Sequence, residues 1–250
     1  MKIKSFIIAL VMAVSSLAAM AITPVEALTN LKQRIAPDKR TAIWDVNAKQ
    51  QAGKWVLSGT VGTKAQKQAI LATMLKNGYG GFTDKITVLE DGIPVSRKWA
   101  LVKLSIATLR TEPKHSAEIA TQGIMCAPVK VLQKDGEWYR VQMADDYIAY
   151  VPESSLAYKT EAQMKAWRKA KRYIVTAYDS RLVTEPRGDE TVSDLVMGNI
   201  LEFKAVQGDW CKLATPDGRV GGWQRPMWLN CRSGASRVSA PPKSKRPHAA

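Results

Sequence analysis

The sequence predicts a mainly β protein in which two small all-β barrels follow a small α+β domain. Three observations lead there. The segment from Leu109 to Val151 is written a second time further on. Each copy breaks into short runs of alternating apolar and polar residues separated by turn residues, with no room for a helix. Residues 41–91 instead show a strand–strand–helix–strand pattern.

The repeat is explicit. Leu109-Arg110-Thr111-Glu112-Pro113 returns as Leu182-Val183-Thr184-Glu185-Pro186, and Gly136 to Val141 (GEWYRV) returns as Gly208 to Leu213 (GDWCKL). Asp145 to Val151 (DDYIAYV) returns as Asp217 to Trp223 (DGRVGGW). The offsets are 73, 72 and 72 residues, so two copies of one folding unit are expected, at 98–157 and 173–223.

In chain order, Lys2 and Lys4 precede an apolar run from Phe6 to Met20, and Ala19-Met20-Ala21 supplies small residues where a signal peptidase reads. Residues 1–21 are therefore expected to be a secretory signal peptide, too short for a stable membrane span, with the mature chain beginning near Ile22. Residues 22–40 read as a linker holding a short helical piece and a Pro-broken connector. In the α+β domain, Ala42 to Val46 and Trp55 to Val61 alternate as strands, and Thr63 caps a helix from Lys64 to about Lys76 that ends at Asn77-Gly78. Lys85 to Leu89 supplies a third strand. Between the barrels, at 158–172, Thr160 and Gln163 form a capping box for a connecting helix with Met164 and Trp167 on one face and Lys165, Arg168, Lys169, Lys171 and Arg172 around the rest.

From Gly222 onward the pattern fades, and 224–250 reads as a disordered basic tail rich in Ser, Pro, Lys and Arg. There is also a slip in register. At an offset of 72, the aromatic matching Tyr150 belongs at Gly222, yet it stands one place later, as Trp223. A reading frame shifted just after Gly221 restores the register and yields a stretch like Ala149 to Arg168. The expectation is thus either a frameshifted tail, with a catalytic domain once downstream, or a true short protein.

The formal net charge of +15 and export together point to anionic partners outside the cytoplasm: wall polymers, headgroups or acidic stem peptides, and no nucleic acid. Three cysteines, Cys126, Cys211 and Cys231, allow at most one internal disulfide, and the repeat places Cys126 and Cys211 at packing positions. A cysteine hydrolase needs a thiolate, an imidazole and an orienting group. The two histidines, His115 and His248, have no thiol neighbour by pattern. No metal spacing and no phosphate loop appear, so neither catalysis nor a cofactor or metal is expected.

The repeated grammar resembles the bacterial SH3-type (SH3b) domain. Leu109-Arg110-x-Glu112-Pro113, His115 to Glu118, Ala127 to Leu132, Gly136-x-Trp138-Tyr139-x-Val141 and Tyr147-Ile148 are similar to the first of the paired SH3-type domains that precede the catalytic domain in NlpC-type cysteine peptidases acting on cell-wall peptides. That resemblance covers about residues 99 to 222 and implies two SH3-like barrels, with the catalytic residues in a separate domain that this chain is expected to lack. Leu57-x-Gly59-x-Val61, the alanine-bearing helix and Ile86-x-Val88 make the first domain (41–91) similar to the BON-type domain of envelope proteins, which implies attachment to an envelope surface.

Candidate ligand contacts are the rings of Trp138, Tyr139, Tyr147, Tyr150 and Trp210, with Trp223 also available, and Arg110 as a cation for a stem-peptide carboxylate. For Trp138 and Trp210, filling a small core is the stronger use. The function expected is that of an exported, periplasmic or wall-associated, non-catalytic module binding peptidoglycan or stem peptides, the targeting half of a wall-peptide hydrolase. The alternatives are a truncated record of the NlpC-type peptidase itself, or an envelope adaptor that recruits another protein or a hydrolase domain.

Overall fold

The structure, a computed structural model, describes residues 22–218, 220–224 and 229–232, with backbone alone at 220, 221 and 229–232. The predicted signal peptide at 1–21 lies outside the described residues. Contacts divide the chain after Leu89 into two compact units.

The first unit begins with helix α1 (Pro24–Ile35), started by a complete capping box between Thr23 and Glu26 and by Pro24 in its first turn. Strands β1 (Trp44–Gln51) and β2 (Lys54–Val61) pair antiparallel, and helix α2 (Lys64–Lys76) crosses over to β3 (Thr83–Val88), which runs parallel to β2. The predicted strand–strand–helix–strand order is present. The reading of 22–40 as a linker is corrected: Leu28 and Leu31 of α1 are buried in the same cluster as Leu57, Ile70, Met74 and Ile86. A three-stranded sheet covered by one helix leaves apolar surface to bury, and α1 supplies the second helix.

The second unit contains both copies. In the first, β4 (Trp99–Val102), β5 (Ile106–Arg110), β6 (Ile119–Ile124), β7 (Pro128–Asp135), β8 (Trp138–Gln142), β9 (Ile148–Pro152) and β10 (Leu156–Lys159) form one sheet in the order β10-β4-β7-β8-β9-β5-β6. After helix α3 (Glu161–Lys169), the second copy has β11 (Arg172–Val175), β12 (Asp179–Val183), β13 (Thr191–Val196), β14 (Ile200–Gln207), β15 (Trp210–Ala214), β16 (Val220–Gln224) and β17 (Leu229–Arg232). Their order is β17-β11-β14-β15-β16-β12-β13, the same arrangement strand for strand. Irregularities repeat as well: the register shifts at Leu109/Arg110 and Val131/Gln133 recur at Leu182/Val183 and Phe203/Ala205.

The architecture is mainly β with SH3-like units, as predicted, with one correction. Neither sheet closes into a barrel, since no ladder joins β6 to β10 or β13 to β17 among the described residues. The link between β5 and β9 is a single pair, Arg110 opposite Tyr150. Each sheet folds over its core, but it keeps two edges.

The displaced aromatic also finds its cause. Leu213 faces Gly222 while Ala214 faces Val220, so Gly221 is an extra residue held in a bulge. Beyond it Trp223 pairs with Lys212 and Val183 as Tyr150 pairs with Arg140 and Arg110. The slip is local, and a shifted reading frame is not needed to explain it. Gly222 must remain small, because a Cβ there would stand 2.9–3.1 Å from three atoms of Leu182. Within the stretch read as a disordered tail, Leu229–Arg232 forms β17 against β11, the place β10 takes against β4. The rest of that stretch lies outside the described residues.

The two copies share a packed seam. Strand β4 is apolar throughout: Ala100 and Val102 face the first core, while Leu101 joins the second. Met125 and Cys126 also enter the second core, beside Met164 and Trp167 of α3 and Leu182, Leu195, Leu201 and Leu213. Polar bonds fix the register. Asn199, fully buried, donates from Nδ2 to the Ser105 carbonyl at 2.9 Å and accepts the Val196 N–H at 3.0 Å. The Ile200 N–H donates to the Met125 carbonyl at 3.2 Å, and the Ser105 hydroxyl donates to the Asp194 carboxylate.

Asn199→Ala is expected to destabilise the chain by about 1–3 kcal/mol, because it removes the side-chain acceptor of the half-buried Val196 N–H and one of the two donors to the buried Ser105 carbonyl, which keeps the Met125 N–H. Urea unfolding should show the midpoint fall in one transition shared by both copies. An unchanged midpoint would show that the seam carries no stability.

Candidate functional site

The sites the sequence singles out separate according to which face of the sheet they occupy. Along β8 and β9, Tyr139, Val141, Ala149 and Val151 point into the core. Alternation sends Arg140 and Tyr150 to the other face, where both are half-buried. Tyr150 stands opposite Arg140 on one side and Arg110 on the other, so these three form a row across β8, β9 and β5. The Arg140 guanidinium lies 5.5 Å from the centre of the Tyr150 ring. Arg110 donates from Nη1 to the Ala117 carbonyl at 2.6 Å, which holds it against the β5–β6 connection and leaves its other N–H groups. Among the described residues no carboxylate makes an ion pair with Arg110 or Arg140. A ring between two cations, on a rigid sheet, is suited to a ligand with an apolar body and a carboxylate.

The other candidates fare differently. Tyr139 is corrected from contact residue to core residue: it is 1% exposed, its hydroxyl accepts a 3.1 Å bond from Arg97, and it packs edge-on against Tyr158. Arg97 also holds Glu153 at 3.0 Å. Trp138 is buried too, with its ring edge-on to His115 at 4.9 Å, so that pair braces a loop. Tyr147 is half-buried against the first core, at the turn after Asp145 and Asp146. Trp210 is half-buried at the start of β15 in the second copy and is no part of the row. Arg140 was missed in the sequence. Its alternation with Tyr139 and Val141 was legible, but its partnership with Tyr150 depends on strand register.

The second copy has a reduced version of the row. Lys212 stands 5.6 Å over Trp223, but Trp223 is 8% exposed and Val183, which replaces Arg110, is buried. One cation is lost and the ring is covered.

Much of the basic face expected on α3 is engaged with aromatic rings. Arg168 lies 5.3 Å over Trp99 and Arg172 lies 4.3 Å over Trp167, while Lys171, just after the helix, lies 4.4 Å over Phe203. These contacts pin the connector to the seam.

Cys126 and Cys211 are both free thiols in the buried seam cluster, so they form no bridge with each other. Cys126 has φ +65°, matching Gly198 at +93° in the second copy, and burial pushes its thiol up to about 12. Burial raises Cys211 as well. Neither is a thiolate at neutral pH, so neither is an activated nucleophile. Among the described residues no group of three His, Cys, Asp or Glu side chains could hold a metal. None of the described helices is long and apolar enough to cross a membrane.

Residues 109–156 match the family model of the bacterial dipeptidyl-peptidase Sh3 domain, a domain type that is not itself catalytic. Two solved structures are similar. An NlpC/P60 family protein from Bacillus cereus is 18% identical, with a TM-score of 0.46 over 54% of this chain and 56% of that one. An NlpC/P60 endopeptidase from Photobacterium damselae subsp. piscicida is 15% identical, with a TM-score of 0.42 over 57% of this chain and 35% of that one. This chain therefore covers about half and about a third of the lengths of those two proteins. No curated protein matches it.

Stability should depend on pH through Cys126. The folded value is raised from 9.0 to about 12, so above pH 9 the unfolded chain releases a proton that the folded chain keeps. The contribution is complete below pH 9 and is lost as pH rises towards 12. Urea midpoints at pH 8 and at about pH 10.5 are expected to fall more in the wild type than in Cys126→Ala. Equal falls would mean that the thiol is not shielded in the fold.

Proposed function

We propose that this chain is an exported, non-catalytic cell-wall module that binds peptidoglycan through its stem peptides, using the outer face of the first SH3-like copy. The observation that carries the reading is the Arg110–Tyr150–Arg140 row, in which two cations without carboxylate partners among the described residues flank a half-buried ring. Stem peptides combine free carboxylates with small apolar side chains. Arg110 and Arg140 would take the carboxylate, and Tyr150 the apolar part. The match of residues 109–156 to a dipeptidyl-peptidase Sh3 domain supports a wall-related role. The apolar run behind Lys2 and Lys4 supports export, and the BON-like order of the first unit supports attachment at an envelope surface. Within this reading, Tyr147, half-buried against the first core, and Trp210 in the second copy are secondary contacts, and any hydrolase partner acts on the wall peptide that the module holds.

The test is co-sedimentation of the full chain with purified peptidoglycan, beside a peptidase assay on a γ-glutamyl stem peptide. Binding without turnover is expected. Arg110→Gln, Arg140→Gln and Tyr150→Ala should each weaken binding by about tenfold, the loss of one charged hydrogen bond or one ring contact. Tyr139→Phe, a change confined to the core, should leave binding unchanged. Turnover of the peptide, or binding indifferent to the three row variants, would refute the proposal.

A further inference from the structure

The three-stranded sheet of the first unit has two edges, and they are finished differently. On β3, the Ile86 N–H donates to the Asp84 carboxylate at 2.9 Å, and the Lys67 ammonium donates to the Ile86 carbonyl at 2.8 Å. Lys67 and Asp84 also pair with each other at 2.8 Å, so side chains cap the middle of that edge against another strand. Strand β1 has no such cover. It pairs with β2 alone, and no side chain among the described residues bonds its backbone.

The pairing of β1 with β2 says which of its groups are open. Just before β1, the Gly62 N–H donates to the Ile43 carbonyl, so Asp45, Asn47 and Lys49 direct their backbone groups at β2 while Trp44, Val46, Ala48 and Gln50 direct theirs outward. Beside this edge runs a groove of about 250 Å³, with Val25, Leu28, Thr29 and Lys32 of α1 on one wall and Trp44 to Ala48 on the other. Val25 is 51% exposed. The side chains of β1 divide by face. Trp44, Val46 and Ala48 pack on the helix side, and Asp45, Asn47 and Lys49 are exposed on the opposite side. Neither Asp45 nor Lys49 makes an ion pair among the described residues.

We propose that the chain self-associates through β1, which adds antiparallel to the β1 strand of a second copy so that two sheets become one. Centred on Asn47, this pairing sets each Asp45 opposite the partner's Lys49 and each Val46 opposite the partner's Ala48. The charged pairs fall at the non-hydrogen-bonded positions, where facing side chains stand closest. Any extended segment could use the outward backbone groups. A second copy is selected because the order acid, amide, base along one face of β1 is its own complement when reversed, and the two-fold axis supplies each contact twice. The partner's Val46 and Ala48 then lie on the helix side, beside the groove wall formed by Val25 and Leu28.

The experiment is sedimentation of the full chain over about a hundredfold range of concentration, where the mass should rise from that of one chain to that of two. Asp45→Lys and Lys49→Asp each turn two attractive pairs into two repulsive ones, and each should weaken association by about tenfold or more. The double variant Asp45→Lys/Lys49→Asp restores the pairs in reversed order and should regain the wild-type association. Hydrogen exchange at the Val46 and Ala48 amides should slow as concentration rises. A chain that stays single at every concentration overturns the proposal and leaves the edge to a strand of another protein. A dimer indifferent to the single reversals, or a double variant that remains dissociated, overturns it as well. Arg110 lies in the second unit, and Arg110→Gln should leave association unchanged, so failure here and failure of wall binding are read separately.

Discussion

Asn199 and the two backbone groups its side chain bonds hold the rest of the second unit in place. Each SH3-like copy buries only a small core, and neither sheet closes, so each leaves an apolar flank that water would otherwise meet. The flanks are joined by Leu101, Met125 and Cys126 reaching into the second core, and by α3 laying Met164 and Trp167 over the join. Hydrophobic contact alone does not choose a register. The buried Asn199 does, because its amide is satisfied only when the Ser105 carbonyl and the Val196 N–H sit at the two ends of one side chain.

The same seam explains how two copies of one unit came to differ. In the first, the outer row of Arg110, Tyr150 and Arg140 stays half-open on a sheet whose inner face is filled by Tyr139, Val141, Ala149 and Val151. In the second, Val183 has replaced the outer cation, Gly221 adds a bulge, and Trp223 is covered. One copy keeps a face suited to ligand, while the other lends its core to the join. The cations on and beside α3 follow the same division, since Arg168, Lys171 and Arg172 lie on Trp99, Phe203 and Trp167.

A protein built this way brings polar side chains together at two kinds of location. One is the exposed row, set by alternation within a strand and pairing between strands. The other is a cavity between copies, where Lys159, Trp167 and Glu202 arrive from separate segments of chain. The first can be approached from sequence, as Arg110 and Tyr150 were, although their partner Arg140 was not. The second has no sequence signature, because nothing in the spacing of 126, 159, 167 and 202 announces a shared wall.

The sequence by itself determined the duplication, the strand–turn periods, the caps at Thr63 and Thr160 and the mainly β class, because these rest on local backbone preference and on alternation, which each segment carries alone. It was also enough to show an aromatic out of register at Trp223. Tertiary structure alone decided that the misplaced residue is absorbed in a bulge, that α1 belongs to a core rather than a linker, that Leu229–Arg232 pairs with β11, and that Tyr139 is interior while Tyr150 is not. The physical reason is common to all four. Pairing register, and the face on which a side chain ends, depend on partners far along the chain, and a one-residue shift reverses every face, so no local pattern can settle them.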